Sequence, residues 1–291
     1  SIVNKDVMFY KKVFASDIDV TIKKRVAYIS HLLKNALAER RFEVYYQPIY
    51  EISEERIIGA EALIRMRDDE GNFVSPEEFI PISEKTGDIL RIGQFVFESV
   101  CKTLASINLN EYGIKKIDIN LSVAQCMQDI LSKQILEIRA KNQIPASIIN
   151  LEITETAAAH TPDILLANMK KLADEGIELS LDDYGSGYSN MNYLLTLPFK
   201  MVKIDKNIVW TAFENVKANI ALASTIKMIN NLGMTVLAEG VETEEQVNWL
   251  KSLGCHYLQG FYFAEALPKD EFLKKMKDEQ LRIKKLRESK N

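Results

Sequence analysis

The chain is short of the residues that build the commonest metal and redox centres. Its 291 residues hold three cysteines, Cys101, Cys126 and Cys255, odd in number and far apart. That spacing excludes a disulfide frame and a zinc knuckle, and it fits reduced thiols in a cytoplasmic protein. The three histidines, His31, His160 and His256, are equally scattered, which argues against a histidine-rich zinc or iron site. Any metal would be held by oxygen, which favours Mg2+, Mn2+ or Ca2+. No apolar run reaches the roughly 18 residues that span a membrane, and SIVNKDVMFY at the start lacks a signal-peptide pattern. A soluble, cytoplasmic segment is expected, with any membrane anchor lying in a longer parent protein. A net charge of −4 offers no field that would attract a nucleic acid polymer. The basic residues cluster near the ends, in KKRVAYISHLLKNALAERR and KKMKDEQLRIKKLRESK, where helical spacing marks solvated helix faces.

What is present is an ordinary globular composition, 47% hydrophobic and 27% charged, arranged as a repeated theme. Residues 1–22 show no clear period and read as a linker or the end of a preceding domain, which leaves 23–291 as the domain proper. From Lys23 the apolar positions Val26, Ile29, Leu33 and Leu37 mark an amphipathic helix. Eight β-rich runs follow: FEVYYQPIYEI, RIIGAEALIRM, IDINLSV, INLEITE, IELSLDD, MVKIDK, TVLAEGV and YLQGFYF. Helical patterns separate most of them, several closing on a glycine that caps the helix before the next strand (Gly176, Gly233, Gly254). Strands alternating with helices give parallel βαβ units, and eight of them fit an α/β fold, a (β/α)8 TIM-like barrel. An open doubly wound sheet is the weaker alternative. Only ISEER separates the first two runs, too short for a crossover helix, so the first strand is expected to run antiparallel to the rest.

In such a barrel the functional rim forms at the C-terminal ends of the strands. Those ends carry Glu61, Asn120, Glu152, Asp182 with Asp183, Lys203, Glu239 and Gln259. Taken singly, each also reads as a solvated strand end, a turn former or a helix cap. Taken together, five carboxylates aimed at one barrel mouth would repel one another unless cations hold them, so the set implies bound metal. Lys203 shares a strand face with Asp205, opposite Val202 and Ile204. It is either a surface lysine paired with Asp205 or, on an inward face, an ammonium ringed by acids and able to hold a water. The stretch LDDYGSGYSN lacks both the third glycine of a dinucleotide fingerprint and the Gly-Lys-Ser/Thr of a P-loop. It reads as a metal-binding strand end, with Gly185 and Gly187 forming a hinge behind it.

Several of these words carry a family resemblance. GAEALIRM contains Glu61-Ala62-Leu63, and YYQPIY, INLS, LEITET, DDYGSGYS, VKID, AEGVET and QGFYF stand in matching order. Over roughly residues 40–275 the chain resembles the EAL family of cyclic di-GMP phosphodiesterases. The resemblance implies metal ligands at Glu61, Asn120, Glu152, Asp182 and Asp183, a Lys203 that contacts the attacking water, and a Glu239 that acts as further ligand or general base. It also implies substrate contacts from Gln47, Leu63, Arg65 and Gln259. Glu155 is implied to hold the loop after Asp183, linking metal binding to dimerisation, and Glu242 to give further support. The implied reaction is hydrolysis of cyclic di-GMP to linear pGpG, assisted by two Mg2+ or Mn2+ ions, with Ca2+ bound but inhibitory. A homodimer and an upstream signalling domain are implied as partners. VMFYKKVF resembles the end of a GGDEF domain, the family's usual neighbour.

The departures are few. Met66 stands where tryptophan is frequent, Tyr184 replaces phenylalanine, Ser186 replaces threonine, and EALP ends the last strand differently. The competing expectation is a receptor that binds cyclic di-GMP without cutting it. Such members lose ligands, the lysine or the glycine loop, all of which are present here.

Overall fold

The computed structural model describes residues 20–159, 163–185 and 192–288. His160, Ser186, the hinge residue Gly187, and most of the expected linker lie outside them. The chain folds as two compact units, one of residues 1–43 and 64–92, the other of 44–63 and 93–291.

In the first unit the chain is helical over 20–35. Ile29, Leu32, Leu33 and Ala36 are buried, whereas Val26, counted on the same face from the sequence, is exposed. The helix therefore extends a turn or more beyond its packed stretch. The end of strand β2 (Arg56–Arg67) pairs with β3 (Phe73–Val74) as a short antiparallel hairpin, Met66 opposite Val74. Asp68 holds the intervening turn by accepting the amides of Glu70 and Asn72 at 3.0 and 2.8 Å. Met66 is fully buried there, and Phe42 packs on Phe79 with ring centroids 6.0 Å apart.

The second unit is a closed barrel. Its strands are β1 (Phe42–Glu51), β2 (Arg56–Arg67), β4 (Lys116–Leu121), β5 (Ile149–Thr154), β6 (Glu178–Tyr184), β7 (Met201–Ile204), β8 (Thr235–Ala238) and β9 (Tyr257–Leu258). They are ordered β1-β9-β8-β7-β6-β5-β4-β2, and a β1–β2 pairing closes the ring. From β2 through β9 neighbouring barrel strands are parallel, while β1 runs antiparallel to β9. This is the expected TIM-like barrel with its reversed first strand. A short β10 (Leu267–Pro268), not foreseen from the sequence, pairs antiparallel with β1.

Local sequence explains the elements. Parallel strands buried on both faces usually read as unbroken apolar runs. Here they alternate: Ile117, Ile119 and Leu121 are buried between Lys116, Asp118 and Asn120. The polar set faces the lumen, because Lys116 Nζ on β4 lies 3.5 Å from Met201 Sδ on β7 and 5.5 Å from the Tyr257 ring centre on β9. Capping boxes at Ser122/Gln125 and Thr243/Gln246 start helices close behind strand ends. Gly176, Gly233 and Gly254 all take positive φ, 84°, 79° and 90°, as their expected place at helix ends requires. Among the described residues no helix is long and apolar enough to cross a membrane.

Candidate active site at the barrel mouth

At the centre of the rim stands Lys203 on β7, with 0% of its side chain exposed. Its Nζ lies 3.1 Å from Glu61, 2.9 Å from Glu152, 3.3 Å from Asp182 and 3.0 Å from Glu239. The surface-lysine alternative is thereby excluded, and Asp205 is engaged elsewhere. Asp205 caps the helix Lys206–Glu214, accepting the Asn207 amide at 2.9 Å. Each acid around Lys203 comes from a different strand, so barrel closure, not local sequence, assembles the group. Two amides complete it. Asn120 Nδ2 donates to Glu61 at 2.7 Å, and Gln259 Nε2 donates to Glu61 at 2.8 Å and to Gln47 at 3.2 Å.

Asp182 and Asp183 pose a geometric problem, since adjacent residues of a regular strand face opposite sides. The structure resolves it with a register shift in the β6–β7 pairing between Leu181 and Tyr184 and a left-handed backbone at Asp183, φ 55°. The bulge turns both carboxylates toward one place. Oxygens of Asp182, Asp183 and Glu239 come within 4.8 Å of one another, a group that can hold a metal ion. Immediately beyond, Gly185 N–H donates to Glu155 Oε2 at 2.9 Å, and the Tyr193 hydroxyl donates to Glu155 Oε1 at 2.8 Å.

The electrostatics follow from burial. Desolvation pushes the carboxyls of Glu152 and Asp182 up despite the attraction of Lys203. Burial, with Asp182 beside it, raises Asp183 to about 6, and burial raises Glu239 to about 8. Glu61 is the exception. Burial acts against its ionisation, but Lys203 and the two amide donors outweigh it and hold the carboxyl low. For Lys203, burial disfavours the ammonium, and the four acids more than reverse this, holding its pKa well above the ordinary value. The residues fit a hard divalent cation. The donors are all oxygen, and the buried Glu152 Oε1 and Asp182 Oδ1 are met by the Lys203 ammonium, at 2.9 and 3.3 Å.

The rim opens into a cavity of about 320 Å³. Gln47, Glu61, Leu63, Asp183, Glu239, Glu242 and Gln259 line it, as do Asp205, Lys206, Trp210 and Phe261, which sequence reasoning did not assign to the site. Asp205 is the last residue of VKID and Lys206 and Trp210 come after it, and their i, i+1, i+5 spacing was the signal available. Glu242 is exposed, and its backbone N–H donates to the Gln246 side chain at 2.7 Å. Arg65 belongs to the other unit, where its Nη1 donates to the Ile64 carbonyl at 3.0 Å.

Residues 31–266 match the EAL domain family. The chain is 33% identical over 254 residues to a probable cyclic di-GMP phosphodiesterase, PdeB, of Escherichia coli, covering 87% of this chain and 48% of the relative. It is 32% identical over 241 residues to the signaling protein YkoW of Bacillus subtilis, covering 83% and 30% respectively. The chain thus spans less than half the length of these curated relatives. Among solved structures, the MucR phosphodiesterase in complex with c-di-GMP superposes with a TM-score of 0.79 at 30% identity, covering 84% of this chain and 98% of that one. The Bd1971 EAL enzyme, bound to cAMP, superposes with a TM-score of 0.82 at 26% identity, covering 93% and 75%. The motifs, the barrel and the acid-ringed lysine agree with these matches, and the chain belongs to the EAL-domain family.

Proposed function

We propose that this chain hydrolyses one phosphodiester bond of cyclic di-GMP, giving linear pGpG. The observation that carries the reading is the charge arrangement of the rim. Five carboxylates (Glu61, Glu152, Asp182, Asp183 and Glu239) surround one ammonium at the mouth of a cavity. The formal charge of the group is four negative, which two divalent cations balance. Glu61, Asn120, Glu152, Asp182 and Asp183 would hold them, with Glu239 within reach. Mg2+ or Mn2+ would serve, and Ca2+ would bind without supporting turnover. When bound, such ions stabilise negative charge on the phosphoryl group and lower the pKa of water.

The chain's own residues do the rest. Lys203 is held protonated and cannot be a base; its Nζ orients the acids around it and can donate to the water or phosphate oxygen that enters. Glu239, 3.0 Å from Lys203 Nζ, would serve as a further ligand or as the general base. Gln259 fixes Glu61 and Gln47 together, tying the acid rim to the cavity wall that would meet a guanine. Arg65 would contribute a phosphate contact, Leu63 an apolar one, Glu155 the control of the loop after Asp183, and Glu242 support. We place the activity in the cytoplasm, in a homodimer, within a longer signalling protein whose upstream domain precedes a linker ending near residue 22.

Incubation with cyclic di-GMP and Mg2+ or Mn2+, followed by chromatography, tests the proposal. Appearance of pGpG supports it. Binding of cyclic di-GMP with no pGpG from the wild-type chain would establish the receptor reading instead.

A further inference from the structure

The cavity has one wall that the acid rim does not explain, the first turns of the helix Lys206–Glu214. Trp210 lines it with 37% of its surface exposed. The indole is not loose, because its Nε1–H donates to the Gly240 carbonyl at 2.7 Å. Lys206 Nζ lies 5.8 Å from the ring centre. This closeness depends on Gly240, at φ 69°, where an added Cβ would come within 2.4 Å of Lys206 Cβ and 3.1 Å of Trp210 Nε1. Phe261, 64% exposed, lines the same cavity. A fixed, half-exposed indole with a cation beside it, opening onto the same cavity as the acid rim, is the composition of a nucleobase platform.

We propose that Trp210 stacks one purine of the dinucleotide substrate, with Lys206 beside the base or its phosphate. This rests on the proposed activity and goes beyond it, because Gln47 is proposed to meet one guanine and leaves the second base of the ligand without a contact. Trp210 is then a positioning residue for the second base. It contributes binding common to ground and transition states, so its loss raises KM and leaves kcat in place.

The test compares Trp210→Leu with Trp210→Phe in steady-state hydrolysis of cyclic di-GMP. Loss of base stacking predicts a KM about tenfold higher for the leucine variant, with kcat within about twofold of wild type, and recovery of most of the affinity by phenylalanine. A second measurement needs no change at Trp210. In a Trp249→Phe protein Trp210 is the sole indole, and its fluorescence should be quenched on titration with cyclic di-GMP. Unmoved emission at a saturating concentration, or a leucine variant with wild-type KM, overturns the inference while leaving the activity intact. A wild-type chain that neither binds nor cuts cyclic di-GMP overturns both.

Discussion

The barrel lumen carries two polar layers, and they are built on opposite principles. At the rim one ammonium, Lys203, meets four carboxylates within 3.3 Å. Below it Lys116 stands 3.7 Å from Asp118 and 3.9 Å from Glu178, and the Ser180 hydroxyl donates to the Asn150 side chain at 2.9 Å. The lower layer approaches charge balance with neutral groups filling in. The rim does not, and no arrangement of side chains alone would relieve it. Burying charge without a partner is costly enough that such an excess marks a place reserved for a ligand, whereas a balanced layer needs none.

Changes at the rim should therefore remove activity, and changes below it should remove only stability. The largest effect is expected for Glu61→Ala, which takes away a carboxylate held by three donors. Turnover should fall by at least about a hundredfold with the melting temperature kept, measured by chromatography and a thermal scan. Undiminished pGpG formation would sink the site assignment.

Lys203→Met should be severe in both respects. It leaves buried acids without their counter-ion, at a cost of about 3–5 kcal/mol. Denaturant unfolding in the absence of divalent ions reads that loss, and a variant as stable as wild type would show that the acids are already protonated.

A third expectation concerns pH. Asp183 and Glu239 have folded values raised to about 6 and about 8 by burial. An acid with a raised folded pKa contributes stability that is complete below its unfolded value and is lost as pH rises through the folded one. Without divalent ions the chain should thus lose stability between about pH 5 and 8. A cation that takes the place of those protons should help most at the upper end. The rise in melting temperature on adding Mn2+ should be larger at pH 8 than at pH 6; an equal rise would mean these carboxyls are not where the ion binds.

The smallest effect belongs to the lower layer. Ser180→Ala breaks one buried hydrogen bond and should cost about 1 kcal/mol, with turnover within about twofold of wild type. A large loss of turnover would mean that the lower layer is part of the machinery.

Much of this was legible in the sequence for physical reasons. Strand ends that carry polar residues after apolar runs announce a rim, and ISEER was too short to carry a crossover, so the reversed β1 followed. The lower layer was also written in the alternation of KIDINL and INLEIT, with Lys116, Asp118 and Asn150 in step with the rim residues, although only the strand ends were read. The bulge at Asp183 was not legible, because a left-handed aspartate leaves no periodic trace and depends on how β6 meets β7. A Lys203 ringed by acids was one of the two readings that strand alternation left open, and barrel closure decides it, because its partners lie up to 142 residues away in the chain. Val26 failed as a core position because periodicity identifies a face of a helix and not how far along it that face is covered.

One contact made by Glu155 has a further consequence. Its two oxygens take hydrogen bonds from Gly185 and from Tyr193, which are the two ends of the segment that follows the paired aspartates. A single carboxylate thus acts as a clasp between Gly185, just after the paired aspartates, and Tyr193. A pull on Tyr193 works through the same side chain on Gly185, two positions from Asp183. The clasp thus makes the backbone beside the paired aspartates answer to events at Tyr193.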